Sequence, residues 1–135
     1  MRIYLTHCSA KKDASLRASG NSVTSDILYT AIPTTRFMQR YIDENVRWAI
    51  FSDLYGVWFP DVTHHWYEKD PETVSNEEYC VLLADFDRQL AAYTDIVFYH
   101  NPSRFHPLYA RILRDTALAA RVSRISHLED ITRRF

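Results

Sequence analysis

Apolar residues recur along this chain in two rhythms, and the rhythms alternate. Short continuous apolar runs suit strands buried on both faces, whereas apolar residues returning every three or four positions suit amphipathic helices. Arg2 to Thr6 reads as a first strand. The run after it, KKDASLRASGNSVTSD, is rich in Ser, Ala and Asn and holds one of only two glycines, so it reads as a loop. Its part from Asp13 to Ser25 offers little to bury and is expected to be mobile, a cover for whatever lies at the strand end. Pro33 suits a first helical turn, after which Phe37, Met38, Tyr41 and Ile42 share one helix face. Val46 to Ser52 reads as a second buried strand. Ser75 with Glu78 three residues on makes a capping box, and Tyr79, Leu82, Leu83, Phe86, Leu90 and Tyr93 continue as an apolar stripe. Asp95 to Tyr99 is a third strand, Leu108 to Leu118 a further amphipathic helix, and Arg121 to Ile125 a fourth strand before a short terminal helix.

Strands that alternate with helices imply a parallel sheet, because each crossover returns the chain in the same direction. The expected fold is α/β, a three-layer αβα sandwich around a parallel sheet of about four strands, with the segments starting near Ile3, Val46 and Ile96 mutually parallel. Ligands of such sheets bind beyond the carboxyl ends of the strands. That rule selects Cys8 and Ser9, Ser52 and Asp53, His100 and Asn101, and Ser126 and His127. Ser, Asp and Asn are also ordinary turn and cap residues, so the rule names positions without deciding roles.

Composition narrows the classes. With 135 residues and 47% hydrophobic content, the chain matches one domain, residues 1–135, with enough apolar mass for a core. Apolar stretches such as Val81–Leu83 fall far short of the roughly 20 residues of a membrane span, and MRIYLTHCSAKK lacks the long apolar stretch of a secretory signal. A cytoplasmic location without membrane contact is expected. The net charge of -1 gives no global attraction for nucleic acid, which leaves only a local patch for that role. Cys8 and Cys80 are the only cysteines and sit in unlike contexts, which argues against a disulfide. Two glycines build neither a dinucleotide fingerprint nor a phosphate-binding Walker loop, so no cofactor is expected.

Cys8 is the leading candidate for chemistry. Lys11, Lys12 and His7 lie within a few residues, and cationic neighbours stabilise a thiolate, so Cys8 is expected to be the more reactive thiol. The competing reading is a cysteine buried at the end of a strand. Cys80, between Tyr79 and Val81 in the helical stripe, is expected to pack. FSDLYGVWFPD reads as a turn that exposes Tyr55 and lets backbone approach a ligand at Gly56. His64, His65, Trp66, Tyr67 and Asp70 follow in a polar aromatic loop, but no Cys-x-x-Cys or His-x-x-x-His spacing supports a metal.

CSAKK after the first strand, DILYT before the first helix, and SDLYGVWFPD followed by Tyr67 and Asp70 resemble an uncharacterised microbial domain family. More distantly, over about Ile3 to Pro102, they resemble the core domain of archaeosine synthase, a tRNA-modifying enzyme grouped with the uracil-DNA glycosylase-like α/β fold. Cys8 and Lys12 match a strand-end motif of Cys, three residues, then Lys-Pro-Tyr, whereas Asp13 and Ala14 depart from it. The resemblance implies a nucleobase- or nucleoside-directed enzyme, a transferase acting on a nitrile-bearing deazaguanine in tRNA or DNA. Cys8 would be the nucleophile and Lys12 would stabilise the thiolate or carry a proton. Asp53 or Asp70 would hold the base edge, and Tyr55 or Tyr67 would stack on the ring. Glycosidic-bond cleavage is the second reading in that superfamily, suggested by HNPSRFHP after the third strand, although Asn101 interrupts the His-Pro-Ser pattern. A non-catalytic nucleotide- or partner-binding module would use the same strand ends without a reactive Cys8.

Overall fold

The computed structural model describes residues 1–9, 11–100 and 105–132. Its core is a five-stranded, mostly parallel sheet in the order β3-β2-β1-β4-β5. The strands are β1 (Arg2–His7), β2 (Trp48–Ser52), β3 (Gly56–Trp58), β4 (Asp95–Tyr99) and β5 (Val122–Ile125). Tyr4 of the central strand lies opposite Trp48 on one side and Val97 on the other, and both pairings are parallel. The apolar runs explain the order. All five residues of β2 are buried, as are Ile3, Tyr4, Leu5 and Thr6 of β1, so both faces of these strands are covered.

The fifth strand departs from the expected four. Gly56 takes φ +74°, a left-handed conformation that turns the chain back after Ser52, and β3 pairs antiparallel with β2. A three-residue strand carries too little periodicity to stand out in the sequence. The second strand begins at Trp48 rather than Val46.

The run from Asp13 to Ser25 is more built than a loop. It holds α1 (Ser15–Ser19) and leads into α2 (Ser25–Leu28), with bridges between Lys12 and Tyr29 and between Val23 and His64. Leu28 and Tyr29 at its end are fully buried, and Leu16 and Val23 pack against the core, which anchors an otherwise polar segment. α3 (Ile32–Glu44) buries Thr34, Phe37 and Met38, while Tyr41 lays its ring 5.0 Å from that of Trp48. Ile42 turns to solvent instead of sharing that face. α4 (Asn76–Leu90) starts at the expected capping box, with Ser75 and Glu78 bonded reciprocally, and buries Tyr79, Leu82, Phe86 and Leu90. Cys80 is exposed, against the expectation that it packs. One step beyond Tyr79 is a rotation of about 100°, enough to leave a narrow buried stripe.

α5 (Pro107–Asp115) ends three residues earlier than expected, where the backbone at Thr116 leaves the helical region. A 3-10 turn at Leu128–Asp130 stands where a terminal helix was expected. No helix among the described residues is long and apolar enough to cross a membrane.

Candidate functional site

Cys8 continues β1 at the centre of the sheet, and Asp53 follows β2 beside it. The two strands are parallel neighbours, so their polar carboxyl ends open into one crevice. The crevice is a cleft of about 190 Å³ lined by Cys8, Ser9, Asp53, Lys69, Asp70, Pro71 and Tyr109. Cys8 Sγ lies 3.5 Å from Asp53 Oδ1, to which it donates, and 3.2 Å from the Tyr109 hydroxyl. A second polar group lies alongside. The Tyr67 hydroxyl sits 3.1 Å from Ser52 Oγ and 2.5 Å from the Tyr29 hydroxyl.

Burial sets the charges here, and it reverses the expected thiol chemistry. Loss of water around Cys8, then the negative charge of Asp53, push the thiol up to about 11, although the Tyr109 hydrogen bond pulls the other way. Lys11 and Lys12 therefore do not make a resting thiolate. Burial raises Asp53 as well, with the Cys8 hydrogen bond and then Lys12 opposing it. The resting pair is a neutral thiol donating to a carboxylate. The Lys12 ammonium lies over the Tyr67 ring, 4.4 Å from its centroid.

The other selected residues divide by what holds them. Ser52 is fully buried, and its Oγ accepts the backbone N–H groups of Leu54 and Tyr55, so it shapes the turn. Tyr67 is buried beneath Lys12 instead of offering a free face for stacking. Tyr55 is stacked on His64 at 3.9 Å and donates to the carbonyl of His65, which leaves it outside the cleft. Gly56 does not line the Cys8 cleft. The Asp85 carboxylate occupies the space beside it and accepts the Val57 N–H at 2.8 Å. Asp70 does line the cleft, but its carboxylate also caps the 3-10 turn at Pro71–Thr73. His100, at the end of β4, packs on Phe105 with its Nδ1 buried and without a partner among the described residues, away from the Cys8 cleft. His127 is exposed at the edge of the fold, and neither it nor Ser126 lines the cleft. Asn101 lies outside the described residues.

Sequence reasoning missed Tyr109 and Lys69. Tyr109 belongs to the apolar stripe of α5, and nothing in its spacing separates a core tyrosine from one whose hydroxyl meets a thiol. Lys69 is held by Glu78, 2.8 Å away, so the cap of α4 ties the cleft wall in place. No group of three or more His, Cys, Asp or Glu residues that could hold a metal occurs among the described residues. A hollow of about 330 Å³ at the opposite end of the sheet, walled by Met1, Tyr4, Val46 and Thr132 among others, contains none of the selected residues.

The raised thiol has a measurable consequence for stability. The folded state keeps its proton to about 11 while the unfolded thiol loses it near 9.0, so stability is full below pH 9 and is lost as pH rises. Linkage gives a loss on the order of 1 kcal/mol from Cys8 between pH 8 and pH 10. Tyr29, Tyr67 and Tyr109, also raised by burial, add to it at higher pH. Denaturant unfolding at the two pH values should show that loss, and Cys8→Ala should remove most of it. An unchanged slope in the variant would assign the alkaline loss to the tyrosines alone.

The fold and cleft define a mixed α/β domain with a buried Cys–Asp–Tyr cluster at the carboxyl ends of its central strands. Compared with protein-family models, curated proteins and solved structures, the chain matches none.

Proposed function

We propose that the chain is a cytoplasmic nucleobase-directed enzyme domain in which the Cys8 thiol adds to an electrophilic carbon borne by a small planar ring. The observation that carries this reading is the contact of one sulfur with both the Asp53 carboxylate and the Tyr109 hydroxyl inside the strand-end cleft. A volume of about 190 Å³ is below the roughly 300–1,000 Å³ of pockets for drug-sized ligands, so a single base suits it better than a whole nucleotide.

The chemistry balances within these groups when the electrophile is a nitrile on a deazaguanine. Asp53 Oδ1 takes the thiol proton as sulfur forms the C–S bond. The displaced π pair of the nitrile goes to nitrogen, which receives that proton back from Asp53, and the product is a thioimidate. An incoming amine would then displace the sulfur and restore the thiol, which is the transferase reading for a base in tRNA or DNA. Helices on both faces of the sheet, as in a three-layer sandwich, would leave the strand-end rim as the open approach for that substrate. Burial raises Asp53 above the usual carboxylate range, which makes it a stronger base toward the thiol than a solvated carboxylate.

The thiol held near 11 favours a second reading, a binding module in which Cys8 and Asp53 only hydrogen-bond a base edge. Incubation with a nitrile-bearing deazaguanine base separates the two. The enzyme reading expects an intact-mass gain equal to the base, mapped to Cys8 and absent in Cys8→Ala, with Asp53→Asn slowing its formation about 100-fold or more. Binding of the base by calorimetry without any adduct would establish the binding module instead.

A further inference from the structure

α5 carries Tyr109 to the wall of the Cys8 cleft, and its neighbours fix the ring there. His106 caps the helix, its Nδ1 accepting the Leu108 N–H at 3.0 Å. The Tyr109 ring lies nearly parallel to that of His7, with centroids 5.0 Å apart, and meets Phe51 at 88°. Tyr109 is only 2% exposed, and its hydroxyl stands 3.2 Å from Cys8 Sγ. A ring packed in this way keeps its oxygen in place and leaves the O–H torsion free to choose a partner.

The proton count sets the direction of that contact. A thiol carries one proton, and the Cys8 proton is directed to Asp53 Oδ1, an ionised carboxylate that can only accept. The sulfur therefore meets Tyr109 with a lone pair, and the hydroxyl is the donor. If the thiol turned to Tyr109 instead, the Tyr109 O–H would point away from the sulfur, its one hydrogen-bond partner among the described residues. A buried donor without an acceptor costs free energy. Burial, and then the negative charge that Cys8 and Asp53 carry when ionised, hold the hydroxyl well above the ordinary tyrosine range, so its proton stays on oxygen while the sulfur reacts.

We propose that Tyr109 is a catalytic residue, a fixed hydrogen-bond donor to the Cys8 sulfur whose bond tightens as the thiol gives up its proton. The role rests on the reading of Cys8 as a nucleophile. The step balances with Tyr109 unchanged at its end. The thiol proton passes to Asp53 Oδ1, a sulfur electron pair forms the C–S bond, and Asp53 returns the proton to the nitrile nitrogen. Sulfur carries most charge between the loss of its proton and the closing of the C–S bond. A hydrogen bond to a charged acceptor is roughly twice as strong as one to a neutral acceptor, so Tyr109 stabilises that moment more than the resting thiol. Asp53 moves the proton, and Tyr109 holds the charge.

Infrared spectra of the S–H stretch test the direction of the bond without any substrate. In a Cys80→Ser background the thiol band belongs to Cys8 alone, and Cys8→Ala identifies it by difference. Asp53→Asn should move the band to higher frequency, because a neutral amide accepts more weakly, whereas Tyr109→Phe should leave it nearly in place. An upward move in Tyr109→Phe would make Tyr109 the acceptor and overturn the proposal. Adduct formation with the nitrile-bearing deazaguanine base then reads the role. Tyr109→Phe keeps the ring and its stack on His7, so it should bind the base within about twofold of the parent and form the adduct about 10- to 100-fold more slowly. A monofluorinated tyrosine in place of Tyr109 is a stronger donor of nearly the same shape, and should form the adduct at least as fast as the parent even where Tyr109→Phe does not fold. A fluorinated protein slower than the parent, or a folded Tyr109→Phe as fast as it, overturns the role. A parent protein that forms no adduct removes the nucleobase reading and not the donor. Iodoacetamide alkylation of Cys8 then supplies the rate, with Tyr109→Phe slower by about tenfold or more if Tyr109 donates, and equal to the parent if it does not.

Discussion

Iodoacetamide should label Cys80 well before Cys8 in the folded protein, the reverse of the order expected from the lysines next to Cys8. At pH 8 a thiol held near 11 is about 0.1% thiolate, against roughly a quarter for a free thiol of about 8.5. The higher-pKa thiolate is the stronger nucleophile and recovers about a factor of ten, which leaves Cys8 about 20-fold slower than a free thiol on chemistry alone. Access widens the gap, since Cys8 is 7% exposed whereas Cys80 lies at the surface of α4. Peptide mapping over time gives the rates, and labelling in denaturant should bring the two together. Equal or faster labelling of Cys8 in the native state would mean that the thiolate is stabilised at rest. Either order is compatible with addition to a substrate that displaces water and receives the proton through Asp53, so the adduct test decides function separately.

Gly56→Ala should destabilise the protein by about 2–5 kcal/mol, the largest stability effect expected around the site. The left-handed backbone at φ +74° costs a residue with a Cβ about 1–2 kcal/mol. A Cβ there would also meet Asp85 Oδ2 at 2.2 Å and Cγ at 2.7 Å, so the carboxylate must move. Its movement breaks the bond to the Val57 N–H, a buried donor whose loss adds about 1–3 kcal/mol. Gly20→Ala is the matched control, because Gly20 has φ +68° with nothing within 4 Å and should lose only the backbone part. Chemical denaturation of both variants reads the difference. Similar losses would show that Asp85 yields freely, and a stable Gly56→Ala that no longer binds a base would restore Gly56 as a ligand contact.

The sequence by itself determined the parallel strands, their helical crossovers and the pairing of Cys8 with Asp53 at one crevice. Those features follow from continuous apolar runs such as Ile3–Leu5 and Ala49–Phe51, from the Ser75–Glu78 box, and from the tendency of successive parallel strands to be neighbours. Only the tertiary structure decided the state and company of the groups in that crevice. Whether Lys12 lowers the Cys8 thiol depends on distances and on water, and burial beside a carboxylate outweighs a nearby cation in the sequence. Tyr109 reaches the sulfur from α5, 101 positions away, and Asp85 fills the space beside Gly56 from α4. Local patterns specify elements because periodicity is a property of neighbours in the chain. Charge state, hydrogen-bond partners and cavities belong to groups brought together from far apart, and no spacing records them.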